Sequence, residues 1–97
     1  MYELRFMSAA ERHFKKLKEK GLKTAYHEAL DKIAADPYIG ELKTGDLAGI
    51  YCLDVYYNRT NYEIAYRIYE DDGQIVIVIL AGTRENFYNE LKRYMNL

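Results

Sequence analysis

The chain has 97 residues and a mass of 11.4 kDa, with 49% hydrophobic and 30% charged residues, and this size predicts one soluble globular domain over residues 1–97. The longest apolar run, residues 75–81, is far shorter than the roughly twenty residues of a membrane-spanning helix. The N-terminus is charged and lacks a signal-peptide pattern, so we expect no membrane partner. A single cysteine, Cys52, excludes an internal disulfide and a cysteine-based zinc cage, and it favours a reducing cytoplasm.

The formal net charge is −1, so the chain lacks the overall positive field of most nucleic-acid-binding proteins. The charge is nevertheless distributed unevenly. Residues 1–23 contain seven lysines and arginines against three glutamates, whereas residues 24–57 contain two lysines against six acidic residues. The sequence therefore predicts a basic end. Its lysines, at residues 15–23, indicate either a solvated helix face or a contact with RNA or with an acidic protein segment.

The N-terminal segment predicts a strand followed by a helix. Polar and apolar residues alternate over residues 2–7, as in a strand with one buried face, and this pattern places Leu4 and Phe6 inward. Ser8 and Glu11 have the spacing of a capping box, in which the hydroxyl and the carboxylate each accept from the other's backbone amide. We therefore expect a helix to begin at Ser8.

Two amphipathic helices are predicted to form a helical hairpin. The first ends where Gly21 supplies a left-handed residue after the helix. The second has apolar pairs at helical spacing over residues 25–34 and ends before Pro37, whose ring disfavours helical geometry at the preceding residue. The apolar stripe of the first helix consists of Ala10, Phe14 and Leu17.

Three strand-like segments follow, over residues 50–57, 62–69 and 74–81. Short polar connections separate them, and short connections make consecutive strands antiparallel neighbours. The third segment is apolar at almost every position, which is typical of a strand in the interior of a sheet.

The last segment predicts a helix from Arg84 to about Met95, capped by the Thr83 side chain. Its core stripe would consist of Phe87, Leu91 and Tyr94 or Met95. The order of elements predicts an α+β fold, in which an N-terminal strand and a helical hairpin pack on a mainly antiparallel four-stranded sheet with a C-terminal helix.

Strand alternation assigns side chains to two faces of this sheet. The inward rows are Tyr51, Leu53 and Val55, and Ile64, Tyr66 and Ile68. The outward rows are Ile50, Cys52, Asp54 and Tyr56, and Glu63, Ala65, Arg67 and Tyr69. We expect the outward rows to line a groove. Arg84, with the amides of the last helix's first turn, would provide a seat for a phosphate, and Tyr88 would lie on the same side of that helix.

Three segments carry a resemblance to a known family: Glu41-Leu42-Lys43, Tyr62-Glu63-Ile64-Ala65-Tyr66-Arg67 and Gly82-Thr83-Arg84-Glu85. With the order of elements, they resemble the RelE/ParE superfamily of bacterial toxins over nearly the whole chain. The resemblance implies a RelE-like fold and the toxin of a type II toxin–antitoxin pair. It also implies a cognate antitoxin that winds around the toxin. The expected assembly is either a homo-oligomer or a toxin–antitoxin hetero-oligomer.

The resemblance leaves the activity open. RelE-like members cut mRNA on the ribosome without a metal, and ParE-like members inhibit DNA gyrase. Of these two activities we expect the first: a cofactor-free, metal-independent mRNA endoribonuclease (an mRNA interferase) that inhibits translation through contacts with the ribosome and mRNA. The alternative is a non-enzymatic gyrase inhibitor, or a catalytically degenerate homologue that still binds antitoxin. The sequence does not decide whether the chain is an enzyme.

Metal-free RNA cleavage needs a base for the 2′-hydroxyl, an acid for the leaving oxygen and cations for the phosphate. RelE-like enzymes carry lysine or arginine on the outward rows, whereas the matching positions here are Cys52, Asp54 and Glu63. Arg67, farther along the strand that contains Glu63, is a candidate for the missing cation. Asp54 and Glu63 become candidates for the base.

The resemblance also assigns roles outside these strands. Arg84 falls where the family has its arginine after the central strand, and Tyr88 lies within one or two residues of a functional tyrosine. Glu41 resembles the glutamate base of one branch of the family. The candidate catalytic residues are therefore Glu41, Asp54, Glu63, Arg67, Arg84 and Tyr88. Among them, Arg67 and Arg84 would hold the phosphate, and Tyr88 would donate a proton or stack on a base.

Overall fold

The computed structural model describes residues 1–96. In chain order its elements are β1 (Glu3–Phe6), α1 (Ser8–Lys16), α2 (Lys20–Ala35), β2 (Glu41–Leu42), β3 (Tyr51–Tyr57), β4 (Thr60–Tyr69), β5 (Ile75–Thr83) and α3 (Phe87–Tyr94). Short 3-10 turns at Pro37–Ile39 and Gly45–Leu47 lie on either side of β2. None of the helices within residues 1–96 is long and apolar enough to cross a membrane.

The strands form one sheet in the order β1-β5-β4-β3-β2. β1 pairs with β5 in parallel, and the other pairs are antiparallel, which confirms the predicted α+β class. We expected four strands, and the fifth is β2, which pairs Glu41 with Cys52. Two residues are too few to show an alternating pattern, so sequence periodicity could not reveal this strand.

Both predicted hairpins are present. Asn58 and Arg59 form the connection between β3 and β4, and their φ angles of 50° and 61° are the left-handed values that a two-residue hairpin turn requires. The connection between β4 and β5 contains Gly73 at φ 120°, a region that favours glycine. These turns bring residues of β3, β4 and β5 opposite one another.

Each face of the sheet supports its own apolar core. The first core contains residues of α1 and α2 packed on the predicted inward rows, including Tyr26, Ile33, Ile64, Tyr66 and Val78. The second contains Phe87 and Leu91 of α3 packed on residues of the other face, including Cys52, Ala65 and Ile79. The assignment of rows to faces is confirmed. The prediction that the outward rows line a groove is wrong for much of their length, because α3 packs there and buries Cys52, Glu63 and Ala65.

The helical hairpin differs from the expectation at its ends. Met7 precedes α1 without any side-chain cap, and Ser8 is the first helical residue, so the predicted capping box with Glu11 is wrong. α1 ends at Lys16, and Gly21 lies in the first turn of α2 instead of ending α1. The Tyr57 hydroxyl packs against Gly21, so a larger residue there would displace the Tyr57 side chain.

The predicted orientation of Phe6 is corrected, and the predicted core stripe of the C-terminal helix is confirmed through Met95. Phe6 does not point into the core but remains 40% exposed, with its ring edge-on to Phe14 at 5.8 Å between centroids. In α3, Phe87 and Leu91 are buried as predicted, while Tyr94 remains exposed and Met95 is partly buried against the core.

The start of α3 lies farther along the chain than predicted. Thr83 is the last residue of β5 and caps no helix, and the Arg84 amide donates to the Asn61 carbonyl at 2.8 Å, so Arg84 extends the sheet ladder. The chain then turns through Asn86, whose φ is 63°, and α3 begins at Phe87. Arg84 therefore does not lie in a helix's first turn, and the predicted phosphate seat is wrong.

Candidate functional site

Two carboxylates lie side by side on the α3 face of the sheet. Asp54 on β3 is directly opposite Glu63 on β4, and Glu63 is directly opposite Gly82 on β5. Like charges in directly opposed positions destabilise a sheet unless a cation compensates them. Gly82 has no side chain that could compensate these charges. The nearest cation in this direction is Arg84, which follows the end of β5 and lies two residues beyond Gly82 on the same face.

Arg84 bridges both carboxylates. Its Nη2 atom is 3.7 Å from Asp54 Oδ2, and its Nε atom is 3.4 Å from Glu63 Oε2. The Asp54 and Arg84 side chains are 57% and 53% exposed, whereas that of Glu63 is 1% exposed. A buried carboxylate needs a nearby cation much more than an exposed one does, so Glu63 gains more from Arg84 than Asp54 does.

Tyr88 provides the second contact to Glu63. Its hydroxyl donates to Glu63 Oε1 at 2.7 Å, while Glu63 Oε2 has no hydrogen-bond partner within residues 1–96. Burial raises the pKa of Tyr88, and the hydrogen bond to Glu63 raises this pKa further against an opposing effect of Lys43. Tyr88 therefore stays a neutral donor at neutral pH.

Lys43 completes the arrangement from the edge of the sheet. Its Nζ atom forms an ion pair with Glu41 and lies 4.7 Å from the centroid of the Tyr88 ring. Burial alone would lower the pKa of Lys43, but the hydrogen bond to Glu41 and the proximity of Tyr88 raise its pKa above the usual value. The hydrogen bond from Lys43 lowers the pKa of Glu41. This ion pair is therefore charged across the physiological pH range.

These side chains form a connected set that we call the Glu63 cluster. Its members are Glu41, Lys43, Asp54, Glu63, Arg84 and Tyr88. Three carboxylates face two cations, so the formal charge of the cluster is negative and each cation already contacts a carboxylate. Within residues 1–96, histidine, cysteine, aspartate and glutamate side chains do not group in a way that could hold a metal ion.

A family model described as the ParE-like toxin of type II bacterial toxin–antitoxin systems matches residues 4–92. The chain belongs to this family. This match confirms the family that the sequence resemblance indicated for the toxin. It extends over both helices of the hairpin, all of β3 to β5 and most of α3.

Solved structures with a similar fold include a toxin–antitoxin complex, RelBE2 from Mycobacterium tuberculosis. It has 26% sequence identity and a TM-score of 0.65, over 86% of this chain and 98% of the other. Two E. coli structures share the fold at 22% identity. The intact RelBE complex has a TM-score of 0.66 over 84% and 95% of the two chains. A free RelE variant with two arginines replaced by alanine has a TM-score of 0.67 over 95% and 96%. A comparison with curated proteins found no significant match.

Five of the six predicted site residues lie in the Glu63 cluster of the toxin, and Arg67 does not. Arg67 is four residues beyond Glu63 on β4, which is about 13 Å of strand. Its guanidinium lies beside the backbone of Gly49, with Nη1 3.5 Å from where a Cβ atom on that residue would be. Arg67 is therefore too far from Glu63 to supply the missing cation.

The sequence interpretation missed Lys43 as a member of the site. The signal that could have revealed it is its position two residues after Glu41, within a segment that had already been singled out. Its contact with Tyr88 could not be foreseen, because it depends on β2 lying at the sheet edge next to α3.

Cys52 lies next to this cluster and is not a nucleophile. Its side chain is buried, and burial together with the negative charge of Glu63 raises the pKa of its thiol to about 12. A thiol with this pKa is almost entirely protonated at neutral pH and reacts slowly.

Proposed function

We propose that this toxin of the ParE-like family stops growth by binding a protein target such as DNA gyrase, and that it does not cut RNA. We further propose that it acts in the cytoplasm and that a cognate antitoxin neutralises it. The solved structures of similar toxins in complex with antitoxins support the proposal of a cognate antitoxin. The arrangement of charges in the Glu63 cluster supports the proposal that the toxin does not cut RNA.

The observation that carries the proposal is that the cations of the cluster are already paired. Arg84 contacts both Asp54 and Glu63, and Lys43 contacts Glu41. A phosphodiester would have to displace these carboxylates and would then face more negative than positive charge. Stabilising a phosphate as its charge increases requires the opposite arrangement, with cations aimed at the reacting group.

The burial of Glu63 is a second argument against RNA cleavage. A general base must come within hydrogen-bond reach of the hydroxyl that it deprotonates. Glu63 is 1% exposed, and Tyr88 already donates to its Oε1 atom. Glu63 is therefore placed to hold Arg84 and α3, and it has no free path to an RNA 2′-hydroxyl.

An endoribonuclease that acts on ribosome-bound mRNA is the second candidate. The half-exposed guanidinium of Arg84 favours it, because Arg84 lies beside the exposed carboxylate of Asp54 and shares Glu63 with Tyr88. In this case Asp54 or Glu41 would act as the base, Arg84 would hold the phosphate, and Tyr88 would donate a proton or stack on a base.

Induced expression in a bacterial host separates the two candidates. Whole-cell translation, mapped mRNA ends and plasmid supercoiling would be followed for the wild-type toxin, for Arg84→Gln and for the matched surface variant Arg93→Gln, at equal soluble protein levels. We expect growth arrest with altered supercoiling and intact mRNA in all three. Rapid loss of translation with cut mRNA, abolished by Arg84→Gln and retained by Arg93→Gln, would establish the nuclease instead.

A further inference from the structure

A hollow lies beside the Glu63 cluster, between the turn that joins β3 to β4 and the end of β5. Its volume is about 450 Å³, within the range of ligand-binding clefts in proteins. Its lining contains two guanidinium groups, two hydroxyls, one amide and one carboxylate, from Arg59, Thr60, Asn61, Thr83, Arg84 and Glu85. None of these six residues is aromatic, and hydrogen-bond donors predominate among their side chains. The hollow therefore suits a small polar group that carries negative charge.

Arg59 occupies a backbone position that favours glycine. It is the second residue of the two-residue turn between β3 and β4, and its φ is 61°. Such turns most often carry asparagine followed by glycine, whereas here Asn58 is followed by arginine. A residue other than glycine at a left-handed φ is strained, and strained residues cluster at functional sites. The strain at Arg59 therefore points to a use for its cation.

The charge of Arg59 is available to a ligand. Its side chain is exposed and forms no ion pair or side-chain hydrogen bond with any of residues 1–96. Arg84 faces Asp54 and Glu63, but its side chain is 53% exposed and makes no hydrogen bond within the described part of the chain. A guanidinium carries five N–H donors, so Arg84 can donate to a ligand while its ion pairs remain. The hollow thus offers a free charge at Arg59 and free donors at Arg84.

We propose that this hollow, which we call the turn hollow, binds a carboxylate of an acidic loop on the protein that the toxin inhibits. The inference rests on the proposed function, in which the toxin acts by binding a protein, and it names the chemistry that this protein must present. A guanidinium and a carboxylate form two parallel N–H···O hydrogen bonds, a geometry that an ammonium group cannot reproduce. Arg59 holds the carboxylate in this way, and Arg84 and the exposed hydroxyl of Thr83 donate to its remaining lone pairs.

The surroundings of the turn hollow favour a protein carboxylate over RNA. Proteins bind single-stranded RNA on aromatic rings against which the bases stack, and the lining of the turn hollow contains none. Three carboxylates also lie at the hollow: that of Glu85 in its lining, and those of Asp54 and Glu63 beside Arg84. They repel the successive phosphates of a polynucleotide, whereas one carboxylate needs only the single charge of Arg59.

The first test uses a capped peptide of about eight residues with two adjacent aspartates. The same peptide with asparagines at these two positions is its control, and a single-stranded RNA of about eight nucleotides is the competitor. Amide and arginine side-chain N–H shifts of the isotope-labelled toxin would give both the affinity and the location of binding. We expect the aspartate peptide to bind about tenfold or more tightly than the asparagine peptide and to shift Arg59, Thr83 and Arg84.

Variants of the same turn separate recognition from folding. Arg59→Gly should weaken binding of the aspartate peptide about tenfold and leave the melting temperature unchanged or higher, because glycine adopts a left-handed φ without steric cost. The matched variant Asn58→Gly should bind as the wild type does, because it changes the other left-handed residue of the turn and keeps the cation. Glu85→Gln should tighten binding about two- to threefold by removing a like charge. Wild-type affinity in Arg59→Gly, equal affinity for the two peptides, or tighter binding of the RNA would each overturn the proposal.

A second test uses purified DNA gyrase. The dissociation constant of the toxin–gyrase complex should rise about tenfold or more in Arg59→Gly and should stay unchanged in Asn58→Gly. If the aspartate peptide binds as expected but the wild-type toxin does not bind gyrase, the gyrase target is wrong and the turn hollow remains supported. If gyrase binds the wild type and Arg59→Gly equally well, the turn hollow is wrong and the gyrase target remains supported.

Discussion

The hydroxyl of Tyr88 donates to Glu63 Oε1 at 2.7 Å, and this hydrogen bond joins α3 to the middle strand of the sheet. Glu63 is the one charged residue among the buried side chains of residues 1–96, and it depends on Tyr88 and Arg84 for compensation. The C-terminal helix is therefore held both by its apolar residues, Phe87 and Leu91, and by a buried polar contact.

The first prediction concerns Tyr88→Phe. Removing this hydroxyl leaves Glu63 Oε1 buried without its donor, so we expect the free energy of unfolding to fall by about 1–3 kcal/mol. Urea unfolding followed by circular dichroism would measure the change. The control is Tyr69→Phe, since Tyr69 is 45% exposed. A loss no larger than that of the control would show that the hydrogen bond contributes nothing to stability.

A double-mutant cycle should separate the two ion pairs of Arg84. We expect Glu63→Gln and Arg84→Gln to show a coupling energy within about 0.5–3 kcal/mol, because Glu63 is buried. Asp54→Asn with Arg84→Gln should show no more than about 1 kcal/mol, because both side chains are more than half exposed. Equal couplings in the two cycles, again from urea unfolding, would contradict this ranking.

His13 should make stability depend on pH on the acid side. Its Nε2 atom is 3.1 Å from the Tyr26 hydroxyl oxygen, and burial lowers the pKa of His13 against an opposing effect of Glu90. The unfolded chain thus binds a proton more readily than the folded chain, so the free energy of unfolding should fall as the pH drops from about 7 to about 5.

Thermal unfolding of His13→Gln across this range should give a shallower slope than the wild-type chain. His27→Gln is the matched control, because the side chain of His27 is 78% exposed. If His27→Gln reduces the slope as much as His13→Gln, the assignment of the slope to His13 is wrong.

Tyr66 should make stability depend on pH on the alkaline side. Its hydroxyl donates to the Pro37 carbonyl at 2.6 Å and accepts from the Gly40 amide at 3.1 Å. Burial raises the pKa of Tyr66 to about 12, against about 10 for a tyrosine in an unfolded chain. The contribution of Tyr66 is therefore complete below about pH 10 and is lost as the pH rises through about 12.

Tyr66→Phe should lower stability at neutral pH, because the Pro37 carbonyl loses its donor, and should reduce the loss above about pH 10. Urea unfolding at several alkaline pH values would measure both effects, with the exposed residue Tyr56 changed to phenylalanine as the control. An alkaline slope unchanged by Tyr66→Phe would assign the effect to another group.

The sequence by itself determined the family, the order of most elements and the two faces of the sheet. Apolar periodicity reports which side of a helix or strand is buried, and this local property placed Tyr51 and Ile64 on one face and Cys52 and Asp54 on the other. The sequence predicted the start of α1 at Ser8 correctly but not the start of α3, because that start depends on whether the chain continues to pair with β4 or turns away from the sheet. β5 ends at Thr83, and the Arg84 amide still donates to the Asn61 carbonyl of β4, so α3 begins only at Phe87.

Only the tertiary structure decided what the outward rows do. A strand pattern cannot show whether a distant helix will cover a face, and α3 buries Cys52 and Glu63 by packing across it. Nor can sequence spacing show which charges meet. Arg84 reaches Asp54 and Glu63 because three antiparallel strands set them in register, whereas Arg67, on the same strand as Glu63, lies too far along it.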